Sequence, residues 1–143
     1  MAGLMYSTIL IPIDVAQTDM AVLLARAAKM LAGKQTKLIC ISVVEKLPAF
    51  ALSALPPDLT EKAEAEARSR LEEAVKSADL KASIEVRSGQ AAQSILDAAK
   101  EHGADLIVVG SHQPELQDFL LGSTAARVVR HAECDVLVKR VSN

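Results

Sequence analysis

The residues with most to offer chemically lie in one stretch, Asp105 to His131. Leu106 to Val109 is a continuous apolar run that stops at Gly110. Ser111 and His112 follow as small polar donors, and Gly122-Ser123-Thr124 opens a segment with Ala125, Val128, Val129 and Ala132 at helical spacing. A fully buried strand reads as such a run, and Ser123 is a good N-cap residue. The order strand, loop, helix N-terminus aims free backbone N–H groups and the positive end of a helix dipole at one point, which suits a phosphate. Glycine permits close backbone approach, and Gly110 and Gly122 flank the loop.

The loop is neither of two common phosphate motifs. There is no G-x-x-x-x-G-K-[ST], no lysine between Gly110 and Thr124, and no G-x-G-x-x-G turn. Residues 111–123 carry Glu115 and Asp118 and no Lys or Arg; Arg127 and Arg130 follow one or two turns into the helix. A triphosphate here depends on backbone N–H groups, a helix dipole of about half a charge and a bound divalent cation. On loop chemistry alone, a nucleotide site and a plain strand-to-helix connection stand level. Ser111, Ser123, Asp14 and His112 have no spacing that resembles a nucleophile elbow, and no His/Cys set has metal-ligand spacing. No catalytic residue and no protein metal site is assigned. His102 and His131 sit where helices end, favourable to the dipole.

The elements that position this stretch follow from periodicity. Thr8 to Asp14 reads as a first strand, apolar on both faces, with Pro12 marking its C-terminal end. Asp14 leaves the sheet at the edge where open α/β folds bind ligands; taken alone, it is slightly better read as a cap or turn residue. Met20, Leu23, Leu24, Ala27, Ala28 and Leu31 define a helix that starts at Thr18 or Asp19 and stops at Gly33. Lys37 to Val44 is a second strand, and Glu45 to Pro57 is a proline-rich loop whose apolar residues either cover a pocket or partner or dock on the body. Asp58 to Ser77 is a charged helix with Glu64–Arg68, Glu66–Arg70 and Glu72–Lys76 at i,i+4, read as a solvated face and not a site. Ala82 to Arg87 alternates, as an edge strand does. A helix over Gln90 to His102 ends at Gly103, and Cys134 to Arg140 is a fifth strand. Strands alternating with helices predict one doubly wound, five-stranded parallel sheet over residues 1–143, with helices on both faces.

Composition narrows the rest. Half of the 143 residues are hydrophobic, but only 2% are aromatic and none is Trp, so the core must be aliphatic. Sixteen basic against eighteen acidic residues give a formal charge of −2. With no basic stripe and no stacking platform, nucleic acid is not an expected partner. No apolar run reaches the ~18 residues of a spanning helix, and the N-terminus lacks a charged n-region; a cytoplasmic protein without membrane contact is expected. Cys40 and Cys134 read as buried apolar side chains.

The chain resembles the universal stress protein family over nearly its whole length. The resemblance begins with I-L-I-P-I-D at Ile9–Asp14 and ends with V-x-x-H-x-x-C-x-V-L-V-x-R at Val128–Arg140. Its most specific part is V-V-G-S-H at Val108–His112 followed by L-L-G-S at Leu120–Ser123. The ATP-binding branch carries G-x-x-G-(x)9-G-[ST] there; this chain has Gln113 at the second glycine and eight residues between it and Gly122. The S-H-x-P and L-L-G-S wording is similar to the branch that includes enterobacterial stress proteins F and G. The resemblance implies a Rossmann-like, adenine nucleotide alpha hydrolase-like sheet of order 3-2-1-4-5. It also implies a module that binds ATP, AMP or ADP, with Mg²⁺ held through the phosphates. Pro12, Ile13 and Asp14 would line adenine and ribose, and the Val43 backbone would meet the adenine edge. Val109, Gly110, Ser111, His112 and Gln113 would border ribose and phosphates. Gly122, Ser123, Thr124 and Ala125 would hold the phosphates. Gln has a Cβ and cannot follow glycine into positive φ cheaply, so the β- and γ-phosphate contacts are where this chain departs most. A homodimer through Cys134–Arg140 is implied as well, with a protein partner that the sequence does not identify. Two other functions compete: a nucleotide-free dimeric interaction protein, and a slow ATPase.

Overall fold

A computed structural model describes the chain at residues 6–46, 49–111 and 121–140. The order of elements is β1 (Thr8–Pro12), α1 (Thr18–Leu31), β2 (Lys37–Val44), α2 (Ala49–Leu52), α3 (Leu59–Ser77), β3 (Ser83–Ser88), α4 (Ala91–His102), β4 (Leu106–Gly110), α5 (Ser123–His131) and β5 (Asp135–Lys139). The strands form one parallel sheet in the order β3-β2-β1-β4-β5. The expected doubly wound architecture and the edge position of β3 are both present.

Strand alternation divides the core into two layers. Ile9, Ile11, Leu38, Cys40, Leu106 and Val108 point to one face and are covered by α1 and α3. Leu10, Ile39, Ile41, Ile107 and Val109 point to the other and are covered by α4 and α5. These positions are nearly or fully buried, and each such aliphatic side chain contributes roughly 1.5–3 kcal/mol. Leu71 anchors α3 and Val128 anchors α5, both at 0% exposure.

Local chemistry sets the ends of the elements. Gln90 caps α4 by accepting from the Gln93 N–H at 2.6 Å, and Gly103 ends it in the left-handed conformation at φ 65°. Gly33 is not the stop of α1: Ala32 is the C-cap, extended at φ −87°, ψ 136°. The Asp105 carboxylate accepts from the Ser7 and Thr8 N–H groups, both at 2.9 Å, and so ties the start of β1 to the start of β4. On the β3 edge, Arg87 bridges Glu85 and Glu101, and His102 Nε2 lies 2.9 Å from Glu85. The segment after β2 is not all loop. It contains the single turn α2, where Phe50 stands 82% exposed and does not dock on the body. No helix among the described residues is long and apolar enough to cross a membrane.

Candidate functional site

Pro12 opens the site. In the β1–β2 ladder the register runs through Pro12↔Ile41, and the Ile13 N–H still bonds the Ile41 carbonyl at 2.8 Å. In the β1–β4 ladder the register stops at Leu10↔Ile107. Parallel ladders send alternate residues to alternate neighbours. With Ile13 facing β2, Pro12 faces β4, where it has no N–H to give. The sheet therefore parts between β1 and β4, at the point where the direction of winding reverses and ligands bind in open α/β sheets.

The parting widens into a cleft of ≈ 630 Å³ across the ends of β1, β2 and β4. Its floor includes Pro12, Ile13, Asp14, Val43, Val109 and Gly110, and its far wall is Gly122, Ser123, Thr124 and Ala125 at the start of α5. The same parity argument orients Val43. Ile41 faces β1 and the Val44 carbonyl faces β3, where it accepts from the Gly89 N–H at 2.9 Å. The N–H and C=O of Val43 therefore face the space beyond the end of β1. They form a donor–acceptor pair open to the cleft.

The α5 end supplies a second set of donors. Gly122 is the N-cap, buried and extended at φ −62°, ψ 156°, and no side chain caps the helix. Ser123 therefore does not take the N-cap role that its residue type suggests. It is the first helical residue, because the buried cap position next to the cleft is held by the residue without a side chain. The N–H groups of the first turn have no intrahelical acceptor, and Ser123, Thr124 and Ala125 all border the cleft. Asp14 is exposed and one of its oxygens is already engaged, accepting from the Ala16 N–H at 2.9 Å. It thus makes the local turn suggested by its residue type and also borders the cleft.

Ser111 is the departure. Its N–H and hydroxyl both donate to the Lys139 carbonyl, at 3.1 and 3.4 Å, so it is tied to β5 and does not line the cleft. The readings of His112 and Gln113 lie outside the described residues. Sequence reasoning assigned no site role to several polar groups that border the cleft, among them Ser42 of β2 and the Glu66–Arg70 pair of α3, joined at 2.7 Å. Ser42 had a signal, as the one hydroxyl in the apolar run of β2. Glu66 and Arg70 had none: the pair is solvated, as the charge run suggested, but it also lines the cleft. Ala63, Glu66, Ala67 and Arg70, a helical stripe at i, i+3, i+4 and i+7, face the cleft. Its carboxylates, Asp14, Glu45 and Glu66, outnumber its cation, Arg70, among the described residues.

A doubly wound parallel sheet with a cleft at its switch point and a helix N-terminus beside it defines an open α/β protein of the Rossmann-like class. The family is more specific. The model of the Universal stress protein family matches residues 5–140, and the chain belongs to that family. It is 32% identical to Universal stress protein G of Escherichia coli O157:H7, over 95% of this chain and 100% of that protein. It is 31% identical to Universal stress protein A homolog 2 of Coxiella burnetii, over 95% and 96%. Among solved structures, hypothetical protein MJ0577 superposes with a TM-score of 0.80 at 26% identity, over 97% and 99% of the two chains. A universal stress protein in complex with cAMP shares the fold at a TM-score of 0.63 and 24% identity, over 93% and 95%.

Proposed function

We propose that the chain binds an adenine nucleotide in this cleft and works as a cytoplasmic, single-domain stress-response or signalling module. The ligand is ATP with Mg²⁺ held through its phosphates, or AMP or ADP. The observation that carries this reading is one cleft of ≈ 630 Å³ with the open Val43 donor–acceptor pair at one end and the uncapped start of α5 at the other. β2 and β4 flank β1, so the strand ends at Val43 and Gly110 are about 10 Å apart at ~4.8 Å per strand, with the start of α5 beyond. That is the span from a base edge to the first phosphates of a nucleotide. The volume is in the range of ordinary small-molecule sites, roughly 300–1,000 Å³.

The chemistry fits adenine at the Val43 end. The C=O accepts from the 6-amino group and the N–H donates to the neighbouring ring nitrogen. Pro12, Ile13 and Asp14 then lie along base and ribose, Val109 and Gly110 along ribose and phosphate, and Gly122 to Ala125 meet the phosphates through N–H groups and the helix dipole. Asp14 keeps one carboxylate oxygen for a ribose hydroxyl or a cation-bound water. The described residues contain no group of three or more His, Cys, Asp or Glu side chains able to hold a metal. The cation is therefore assigned to the phosphates, where it also offsets the acidic lining.

Denaturing freshly purified protein and chromatographing the supernatant tests the reading, alongside calorimetry with Mg·ATP and with cAMP. Adenine nucleotide released, or saturable Mg·ATP heat, is the expected result. Neither one would leave a protein that acts through its surfaces alone. A turnover assay with an Asp14→Ala control separates binding from slow hydrolysis. We also propose a homodimer through β5: Val136, Leu137 and Val138 are only half-buried on an edge strand, and an unprotected edge invites pairing. A monomeric mass by light scattering at micromolar concentration would refute it.

A further inference from the structure

The nucleotide reading leaves Ser42 unexplained. Its residue is 4% exposed, in the middle of an apolar strand, and it borders the cleft. Strand alternation puts its side chain on the same face as Cys40, under α3. The hydroxyl has no hydrogen-bond partner among the described residues and opens onto the cleft. No side-chain polar atom among the described residues is both fully enclosed and unpartnered, so this hydroxyl meets solvent through the cleft, and a ligand that displaces water there must supply the bond in its place.

Arg70 stands on the same side. The helix α3 packs on β2 and β3, so Arg70 belongs to the Val43 end of the cleft and not to the α5 end. Among the described residues that border the cleft it is the one Lys or Arg, and none of them carries an aromatic ring to stack on a base. Glu66, one turn earlier, holds the guanidinium at 2.7 Å. Ala63 and Ala67 on the same stripe are small and leave room beside it.

The geometry points to a base-reading subsite formed by Ser42 and Arg70, in which the hydroxyl bonds the purine ring and the guanidinium covers its face. This inference rests on the nucleotide reading and extends it to base selectivity. Hydroxyls both donate and accept, so Ser42 can meet a ring nitrogen or the amino group of a base whose edge Val43 already holds. A planar guanidinium over a heterocycle does the work of an aromatic platform. A two-ring base reaches both groups from the Val43 edge; a single ring reaches fewer.

Calorimetry with Mg·ATP, Mg·CTP and inorganic tripolyphosphate decides the matter on the wild type, Ser42→Ala, Arg70→Ala and Arg70→Lys. The wild type should prefer ATP to CTP. Ser42→Ala and Arg70→Ala should each weaken ATP about 5–10-fold, the size of one net hydrogen bond or cation–π contact, and narrow that preference. Tripolyphosphate should change less than about twofold, and Arg70→Lys should recover only part of the loss because ammonium is not planar. Ser42→Ala should melt no lower than the wild type, since it removes an unpartnered hydroxyl; a lower melting temperature would assign the hydroxyl a structural role and overturn the proposal. ATP affinity unchanged in both alanine variants, or tripolyphosphate weakened as much as ATP, would overturn it as well while leaving the nucleotide site intact. A wild type that binds no nucleotide would remove both readings at once.

Discussion

Gly110 has a packing duty that is separable from any ligand. A Cβ built there would lie 2.7 Å from Met20 Sδ and 2.9 Å from Met20 Cγ. Ordinary contacts between such atoms are about 3.5–4.0 Å, so Gly110→Ala creates an overlap of about 1 Å. Met20 is 8% exposed on the first turn of α1 and borders the cleft. Relief is available in one direction, because a methionine with three rotatable bonds can swing into the cleft. Overpacking costs about 1–3 kcal/mol, and this escape route puts the expected loss at about 1–2 kcal/mol. Met20→Ala deletes every atom in the clash, so Gly110→Ala in that background should cost almost nothing. The coupling between the two sites should then be about 1–2 kcal/mol. Urea unfolding of the wild type, both single variants and the double variant measures it, with Mg·ATP affinity as a second readout. The displaced Met20 should weaken binding in Gly110→Ala, and the double variant should regain it. An equal cost for Gly110→Ala in both backgrounds would refute the reasoning and leave Gly110 to be explained by its backbone alone.

Two further outcomes follow from single groups. Burial alone would raise the Asp105 pKa, but bonds from the Ser7 and Thr8 N–H groups and the Ser7 hydroxyl outweigh it and hold the carboxyl below the usual range. Its contribution is present above the unfolded pKa, roughly 3.9, and is lost as pH falls through the lower folded value. Asp105→Asn should therefore cost about 1–2 kcal/mol at pH 7, with the gap to the wild type closing below about pH 4; a gap independent of pH in urea titrations would contradict this. Burial pushes the Cys40 thiol up to about 12, and burial followed by the Asp135 and Asp105 carboxylates raises Cys134 less. In the folded protein at pH 8, mass spectrometry should find a thiol reagent on Cys134 first and on Cys40 only after unfolding. Equal labelling of the two would refute it.

Much of the fold was legible because each strand carries its own signal. Leu106 to Val109 reads as buried on both faces, and it is. Ala82 to Arg87 reads as an edge strand, and β3, Ser83–Ser88, is one. Even the crevice was half legible: Pro12 marks the end of a strand in the sequence, and the missing N–H is the reason β1 and β4 separate. Helix ends were less so. Gly33 and Ser123 have the right residue types for a stop and a cap, but the neighbouring residue takes each role, because the cap is chosen by where the chain must go next and not by type alone.

The site was legible only where one segment builds it. Val109, Gly110 and Gly122 to Ala125 are close in sequence, and their pattern of strand, loop and helix start announces a donor-rich corner. Arg70 lies in a helix whose charges all read as solvated, and nothing within Leu59–Ser77 says which stripe turns toward the ends of β1 and β2. That depends on how α3 settles on β2 and β3, which is fixed by Ala67, Leu71 and Val75 burying one side. Once those three are placed, helical geometry carries Ala63, Glu66 and Arg70 to the adjoining stripe, on the cleft side. The i,i+4 pair between Glu66 and Arg70 was therefore read correctly as a pair and as exposed to solvent; what the reading lacked is that the pair also borders the cleft. Pairing is a local property of the helix, whereas the surface the pair borders is a property of the sheet beneath it.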